Sequence, residues 1–297
     1  MAVRPPLLLT GGTGLIGCYL RERSFDDYRT RVVVHRHHPG PLRRGDRVIR
    51  QDLTAAGGPE RVVEASDPEV VVHCAAMAAL GACESDPDRA RHMNVEVTRQ
   101  LARAASERGA YFVLFSTDQV FDGESAPYTE ADPTAPVSEY GRTKEAAEQV
   151  AQENCPDALI LRCALVLGRA PPGAGGALDM LRPGSAPTEV SLFEDEWRTP
   201  ITAPCIARCM EGILRDRPSG LLHLAGPDRL DRLTLGRRVV EAFGFDGVTL
   251  VPGSRKAMAY PRPADVSLDT TRLQATSLPQ PRPLAEALRE LAAAESR

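Results

Sequence analysis

Tyr140-Gly141-Arg142-Thr143-Lys144 sets a phenol and an ammonium four positions apart, which on a helix puts both on one face. A free tyrosine titrates at about 10 and exchanges protons poorly at neutral pH. A neighbouring ammonium favours the phenolate and lowers that value. The spacing therefore predicts Tyr140 as a proton donor and acceptor, with Lys144 able to bond a ribose hydroxyl as well. Composition sharpens the signal, because 34 of the 36 basic residues are Arg and Lys occurs only at 144 and 256. In such a chain a retained Lys marks a position that wants a compact ammonium rather than a planar guanidinium.

Upstream, the apolar run Phe112–Phe115 ends in Ser116-Thr117-Asp118-Gln119-Val120-Phe121-Asp122-Gly123. A hydroxyl at the C-terminal end of a strand can bond a carbonyl undergoing reduction, although a Ser-Thr pair there also suits a cap or a turn. Near the N-terminus, Leu7–Leu9 runs into Thr10-Gly11-Gly12-Thr13-Gly14-Leu15-Ile16-Gly17. Gly11 suits the tight turn, Gly14 the close approach of backbone N–H groups to a pyrophosphate, and Gly17 the packing of helix on strand. Thr13, Leu15 and Ile16 would then present the N-terminal end of the helix, with its positive dipole, to the phosphates. The loop predicts a bound dinucleotide.

The second strand ends in His35-Arg36-His37-His38, with Arg43-Arg44 close behind and no acid before Asp46. An acid at that strand end would bond the ribose 2′-hydroxyl of NAD, whereas Arg36 suits a 2′-phosphate. The expected cofactor is NADPH, with NADH left open and a solvated basic loop as the competing reading. The three histidines lack a neighbouring carboxylate or thiol, so no metal is expected. Asp52-Leu53 falls where an adenine contact belongs. His73-Cys74-Ala75-Ala76 is a small-residue turn at which Cys74, Ala75 and Ala76 let the backbone close on the cofactor.

These residues need strands to end beside one another. Strand candidates are Leu7–Thr10, Arg31–His35, Val48–Gln51, Val70–Cys74, Phe112–Ser116 and Leu159–Cys163. Helix candidates are Leu15–Arg23, Pro59–Ala65, Arg89–Arg108 and Glu139–Asn154. Continuous apolar strands alternating with helices predict an α/β, Rossmann-type doubly wound parallel sheet with helices on both faces, followed by a smaller C-terminal α/β part. Residues 1–165 would hold the cofactor, with 199–216 returning to them, and 166–297 the substrate. Residues 168–187, rich in Gly and Pro, suggest a mobile linker or lid. Helix Pro204–Arg215, strand Leu221–Ala225, helix Leu233–Phe243 and a last Ala/Leu-rich helix follow.

A net charge of −4 with 26% charged residues gives no footprint for nucleic acid. No apolar run spans a membrane and no signal peptide is expected. Seven scattered cysteines without a C-x-x-C are expected as reduced, packed thiols, which points to the cytoplasm. The oligomeric state is left open, a homodimer included.

Taken together, the glycine loop, Val71-Val72-His73-Cys74-Ala75-Ala76, Met93-Asn94-Val95, Ser116-Thr117-Asp118-x-Val120-Phe121-Asp122-Gly123 and Tyr140-Gly141-x-Thr143-Lys144 resemble the extended short-chain dehydrogenase/reductases. Within them the chain is similar to the dTDP-4-dehydrorhamnose reductase branch, which includes the methionine adenosyltransferase regulatory β subunit. Arg198-Thr199-Pro200, and Arg262-Pro263 with Leu268-Asp269, continue the resemblance. It implies Thr117, Tyr140 and Lys144 as catalytic residues and reduction of a C4 ketone on a nucleotide-sugar. It also implies Gln119, Val120, Leu165 and Arg262 on the substrate side. The family commonly carries Tyr at Gln119 and Trp at Leu165, so the sugar itself is open, and Trp197 could supply an aromatic surface or belong to the core. Other expectations are the same chemistry on a non-sugar carbonyl or alcohol, an epimerase or dehydratase holding NAD tightly, or a regulatory subunit that turns nothing over.

Overall fold

The computed structural model describes all residues except 1–3, 24, 37–38, 41, 172–174, 183, 185–187 and 296–297. His37 and His38 of the basic loop therefore lie outside the described residues. The chain opens with β1 (Pro6–Thr10), α1 (Leu15–Arg23), β2 (Arg29–Val34), β3 (Arg47–Arg50), α2 (Gly58–Ser66) and β4 (Val70–His73). Next come α3 (Leu80–Ser85), α4 (Pro87–Arg91), a π-helical turn His92–Glu96, α5 (Val97–Ser106), β5 (Tyr111–Thr117), α6 (Glu139–Asn154) and β6 (Leu159–Cys163). After β7 (Val166–Leu167), β8 (Glu189–Phe193), β9 (Trp197–Arg198) and β10 (Ile201–Thr202), the chain forms α7 (Ala203–Asp216) and β11 (Gly220–Leu224). It ends with β12 (Leu230–Asp231), α8 (Arg232–Phe243), β13 (Thr249–Gly253), α9 (Thr271–Gln274) and α10 (Leu284–Glu295).

Seven strands pair in the order β11-β6-β5-β4-β1-β2-β3, all parallel. Alternate side chains explain why the strands read as continuous apolar runs. Leu7, Leu9, Val70, Val72, Val113 and Phe115 pack on one face against Ile206, Met210 and Ile213 of α7. Leu8, Val71, Phe112, Leu114 and Ile160 pack on the other against Val62 of α2, Leu101 of α5 and Ala147 of α6. Both faces are buried, as a doubly wound sheet requires.

Three elements depart from the sequence expectation. The helix expected at Arg89–Arg108 is broken by the π turn, which the apolar periodicity cannot reveal. The small-residue helix α3 has no apolar stripe to announce it. The return of the chain to the main sheet runs past residue 216, since β11 pairs along β6 as its edge strand. A smaller unit combines the parallel pair β8–β13 with α8 and α10 around Leu192, Leu233, Leu235, Val239, Leu288 and Leu291. In the loop 168–187, Leu178 and Leu181 are buried in that same cluster, so its described part is anchored rather than free. No helix among the described residues is long and apolar enough to cross a membrane. All seven cysteines are free.

Phe112, the second residue of β5, is fully buried. Phe112→Ala should cost about 3–5 kcal/mol of unfolding free energy, read as a lowered urea midpoint at unchanged m-value.

Candidate active site

The order of strands reverses between β1 and β4, where an open parallel sheet offers a crevice at its C-terminal edge. Thr10 and His73 end those strands as register partners. The Thr10 hydroxyl bonds His73 Nδ1 at 2.7 Å and accepts the Ala75 N–H at 3.2 Å, while His73 Nε2 lies 3.0 Å from Thr98 Oγ1. Burial, with help from the Lys144 charge, lowers the His73 pKa to about 3, so the ring is a neutral strut. Gly11 has φ +69°, and a Cβ on it would fall 2.6 Å from the Ala75 nitrogen. A Cβ on Gly17 would fall 2.2 Å from the Gly11 carbonyl oxygen, whereas one on Gly14 would meet only that oxygen, at 3.3 Å. The open space over Gly14 is where a phosphate can reach the start of α1, and Thr13, Leu15 and Ile16 lie half-buried around it.

Two adjoining clefts run from this loop across the ends of β2 and β3. The smaller, of about 160 Å³, is lined by residues that include Gly11, Thr13, Asp52, Leu53, Ala75 and Met93. The larger, of about 890 Å³, shares His35, Asp52 and Met93 and adds Arg36, Ala76, Met77, Arg89 and His92. Asp52 accepts bonds from the Thr54 N–H (2.9 Å) and hydroxyl (2.7 Å). Those bonds, then His35 and Arg36, hold its carboxyl below the usual range. Cys74 is half-buried and packs towards the core. Arg89 and His92 carry no motif that sequence reasoning could weigh; the fold alone brings them to the cleft. These residues fit a dinucleotide: backbone for phosphates, an acid and Leu53 for the adenosine end, and arginines beyond it.

The catalytic candidates come together at the end of β5. Ser138 caps α6 by accepting the Gly141 N–H, which starts the helix at Glu139, immediately before Tyr140. The Tyr140 phenol lies close enough to the Thr117 hydroxyl to be favoured by it in its charged form, and Thr117 Oγ1 donates to Asp118 Oδ1 at 3.1 Å. Lys144 is buried and its Nζ donates to the Phe115 carbonyl at 2.7 Å. This corrects the expectation for Tyr140. Burial pushes its pKa above 10, the neighbouring Thr117 hydroxyl works the other way, and Lys144 is turned to Phe115 instead of the phenol. Lys144 itself is lowered to about 8, first by burial, with Glu148 opposing.

Asn94, in the π turn, joins the two halves of the site. It accepts the Met77 N–H (2.8 Å) and donates to the Met77 carbonyl (3.1 Å) and to Thr143 Oγ1 (2.9 Å). The turn after β4 is thereby stapled to α6 beside Tyr140 and Lys144.

On the substrate side the structure separates the expected residues. Gln119 is half-buried, and its buried Oε1 has no hydrogen-bond partner. Val120 is fully buried among Phe121, Tyr128 and Val266, which makes it a core residue and not a cleft contact. Leu165 packs against the C-terminal cluster. The Trp197 ring is covered by the Arg229 guanidinium at 4.3 Å. Arg262 is drawn to Glu196 by two bonds, of 2.5 and 2.9 Å, so its charge is spent within the protein. Glu196 also meets Arg198 at 3.2 Å, and Arg198 reaches Asp118 at 3.6 Å. Burial raises the Asp118 pKa to about 6 even though Arg198 opposes it. Arg198-Thr199-Pro200 was visible as a motif, but only the fold shows the arginine entering the catalytic loop.

Truncating the fully buried Arg198 leaves Asp118 and Glu196 without their shared cation. Arg198→Ala should cost about 3–5 kcal/mol, measured by chemical denaturation at neutral pH.

The RmlD substrate binding domain family matches this chain over residues 5–296. The chain is similar, at 31% identity over 281 residues and 90% of each sequence, to dTDP-4-dehydrorhamnose reductase of Salmonella typhimurium. It is 27% identical over 292 residues to methionine adenosyltransferase 2 subunit beta of Pongo abelii, covering 96% of this chain and 86% of that protein. Among solved structures it resembles a dTDP-4-dehydrorhamnose reductase of Clostridium acetobutylicum at a TM-score of 0.82 and 26% identity, over 98% of this chain and 100% of that one.

Proposed function

This chain belongs to the RmlD substrate binding domain family, and on that premise we propose that it is an NADPH-dependent reductase of a 4-keto group on a nucleotide-activated deoxysugar. The observation that carries the reading is the meeting of Thr117 and Tyr140 with Lys144 one turn further along α6, tied through Asn94 to the glycine-loop cleft. Residues 1–165, with α7 and β11, hold the cofactor; the remainder from 166 holds the sugar-nucleotide.

Gly11, Thr13, Gly14, Leu15, Ile16 and Gly17 receive the pyrophosphate, Asp52 and Leu53 the adenosine end, and Cys74, Ala75 and Ala76 close the backbone on the dinucleotide. The bound cofactor supplies the hydride for the carbonyl carbon. Thr117 holds the carbonyl oxygen, and Tyr140 gives that oxygen its proton, so ketone, hydride and proton together make the alcohol. Burial keeps the Tyr140 phenol protonated at neutral pH, which is the form a reduction consumes. Lys144 turns its ammonium from the Phe115 carbonyl towards the ribose and the phenolate that forms. Gln119 and Leu165 at the sugar end leave the identity of the sugar open, and a non-sugar carbonyl remains the alternative substrate for the same chemistry.

NADPH is preferred over NADH because Arg36 and Arg89 reach the cleft near Asp52. Arg36→Ala should raise KM for NADPH about 10- to 100-fold, the worth of a lost charge-assisted hydrogen bond, with little change for NADH. The function itself is tested by following NADPH oxidation against a panel of nucleotide-4-keto-deoxysugars. One panel member should be turned over, and Tyr140→Phe should lower kcat by about 10²- to 10⁴-fold while NADPH still binds. Silence across the panel with intact NADPH binding would overturn the keto-sugar substrate. The similarity to methionine adenosyltransferase 2 subunit beta over 96% of the chain favours one second reading, a cofactor-binding regulatory subunit. A Tyr140→Phe protein that kept its full biological role would decide for it.

A further inference from the structure

Helix α6 carries Tyr140, Lys144 and Glu148 at intervals of four, so the three share a face. The first two belong to the site already described; Glu148 does not, yet it is buried one turn below Lys144. Its Oε1 accepts the Ser116 hydroxyl. Arg162 donates to it through Nε, at 3.1 Å to each carboxylate oxygen, and through Nη2 at 2.7 Å. Ser116 and Arg162 are register partners on β5 and β6, so one carboxylate from the helix clasps two facing strand residues. Ser116 precedes Thr117, and the Lys144 anchor, Phe115, precedes Ser116. The Arg162 guanidinium is further held 5.0 Å over the Phe121 ring.

We propose that the buried Glu148–Arg162 pair is a positioning unit for the site, in which Glu148 is the counter-charge that keeps Lys144 an ammonium and, through Ser116, fixes the reach of Thr117. The inference rests on the cofactor reading only where Lys144 meets the ribose. Arg162 bonds this carboxylate directly, and Lys144, one turn up the helix, is reached by its charge. The other groups facing Lys144 carry no charge at neutral pH. From the end of β4 come His73, held neutral by burial, and the Cys74 thiol, pushed up by burial. From β6 comes the Cys163 thiol, likewise pushed up. The π turn and α5 bring neutral Asn94 and Thr98, and Arg99 of α5 meets Glu153 at the far end of α6. Cys83 and Glu84 of α3, and Asp118 after β5, lie at the Tyr140 end.

The signs follow. Removing the Glu148 charge takes away the carboxylate that favours the Lys144 ammonium and leaves burial unopposed by it, so Lys144 loses its proton at lower pH. Removing the Arg162 charge leaves Glu148 to Lys144 alone, so the proton is held to higher pH. A residue that merely packed would move both variants alike.

Because the chain has two lysines, protein labelled with ¹³Cε-lysine gives two titrating signals, and Lys256→Arg assigns them. In the full-length chain the Lys144 midpoint should lie near the value of about 8 that its surroundings impose. It should fall by about one pH unit or more in Glu148→Gln, rise in Arg162→Met and stay in place in Arg162→Lys. Unmoved midpoints, or shifts of the same sign in folded Gln and Met variants, would overturn the proposal. Should Glu148→Gln fail to fold, the upward shift in Arg162→Met carries the test alone. A parallel NADPH titration by nicotinamide fluorescence should show affinity declining above about pH 8 in the parent chain. In Glu148→Gln the decline should begin at lower pH, leaving binding at pH 8 about fivefold weaker. An absence of NADPH binding at every pH would sink the cofactor reading, while the lysine titration still judged the pair.

Discussion

Parallel strands can follow one another only through crossovers that return the chain to the same end, so all their C-terminal ends emerge on one side. Register then decides what meets there. Thr10 pairs with His73, His73 with Leu114, and Leu114 with Ile160. β5 runs three residues beyond Leu114, and Thr117 is thereby lifted about 10 Å along the strand direction from the level of the glycine loop. Phosphate loop and hydroxyl are staggered along one edge by the sheet itself, before any side chain acts. His73 locks that edge, since a neutral ring bonded to Thr10 and Thr98 spans β1 and α5 without placing a charge under the cofactor loop.

Thr117 sits between two buried ionic networks. Its neighbour Ser116 belongs to Glu148 and Arg162; its neighbour Asp118 belongs to Arg198, which leads through Glu196 to Arg262. Such networks contribute little net stability, because desolvation offsets most of the attraction. Their effect is positional: Glu148 and Glu196 accept from the planar forks of Arg162 and Arg262, which tolerate little change of angle. The second network also ties Arg262 and Glu196 to the loop after β5, so a change there has a short path to Thr117. The heavy use of Arg in the chain is consistent with these sites, which call for forks, while the buried Lys144 donates as a compact point charge to the single carbonyl of Phe115.

The repeated strand–helix rhythm, the glycine spacing and the Tyr-x-x-x-Lys were determined by the sequence alone, because each is a local property. A strand buried on both faces must be apolar throughout, a turn at Gly11 cannot carry a Cβ, and four residues of helix always bring two side chains to one face. What the tertiary structure decided depends on charge partners distant in sequence. No motif singles out Glu148; only the packing of α6 on β6 sets Arg162 against it. Val120 reads as part of a substrate motif until Tyr128 and Val266 enclose it, and Arg262 reads as a free cation until Glu196 takes it. Tyr140 reads as a phenol activated by Lys144 until burial and the Phe115 carbonyl claim the two groups separately. Desolvation and pairing are properties of the packed interior, and no spacing along the chain encodes them.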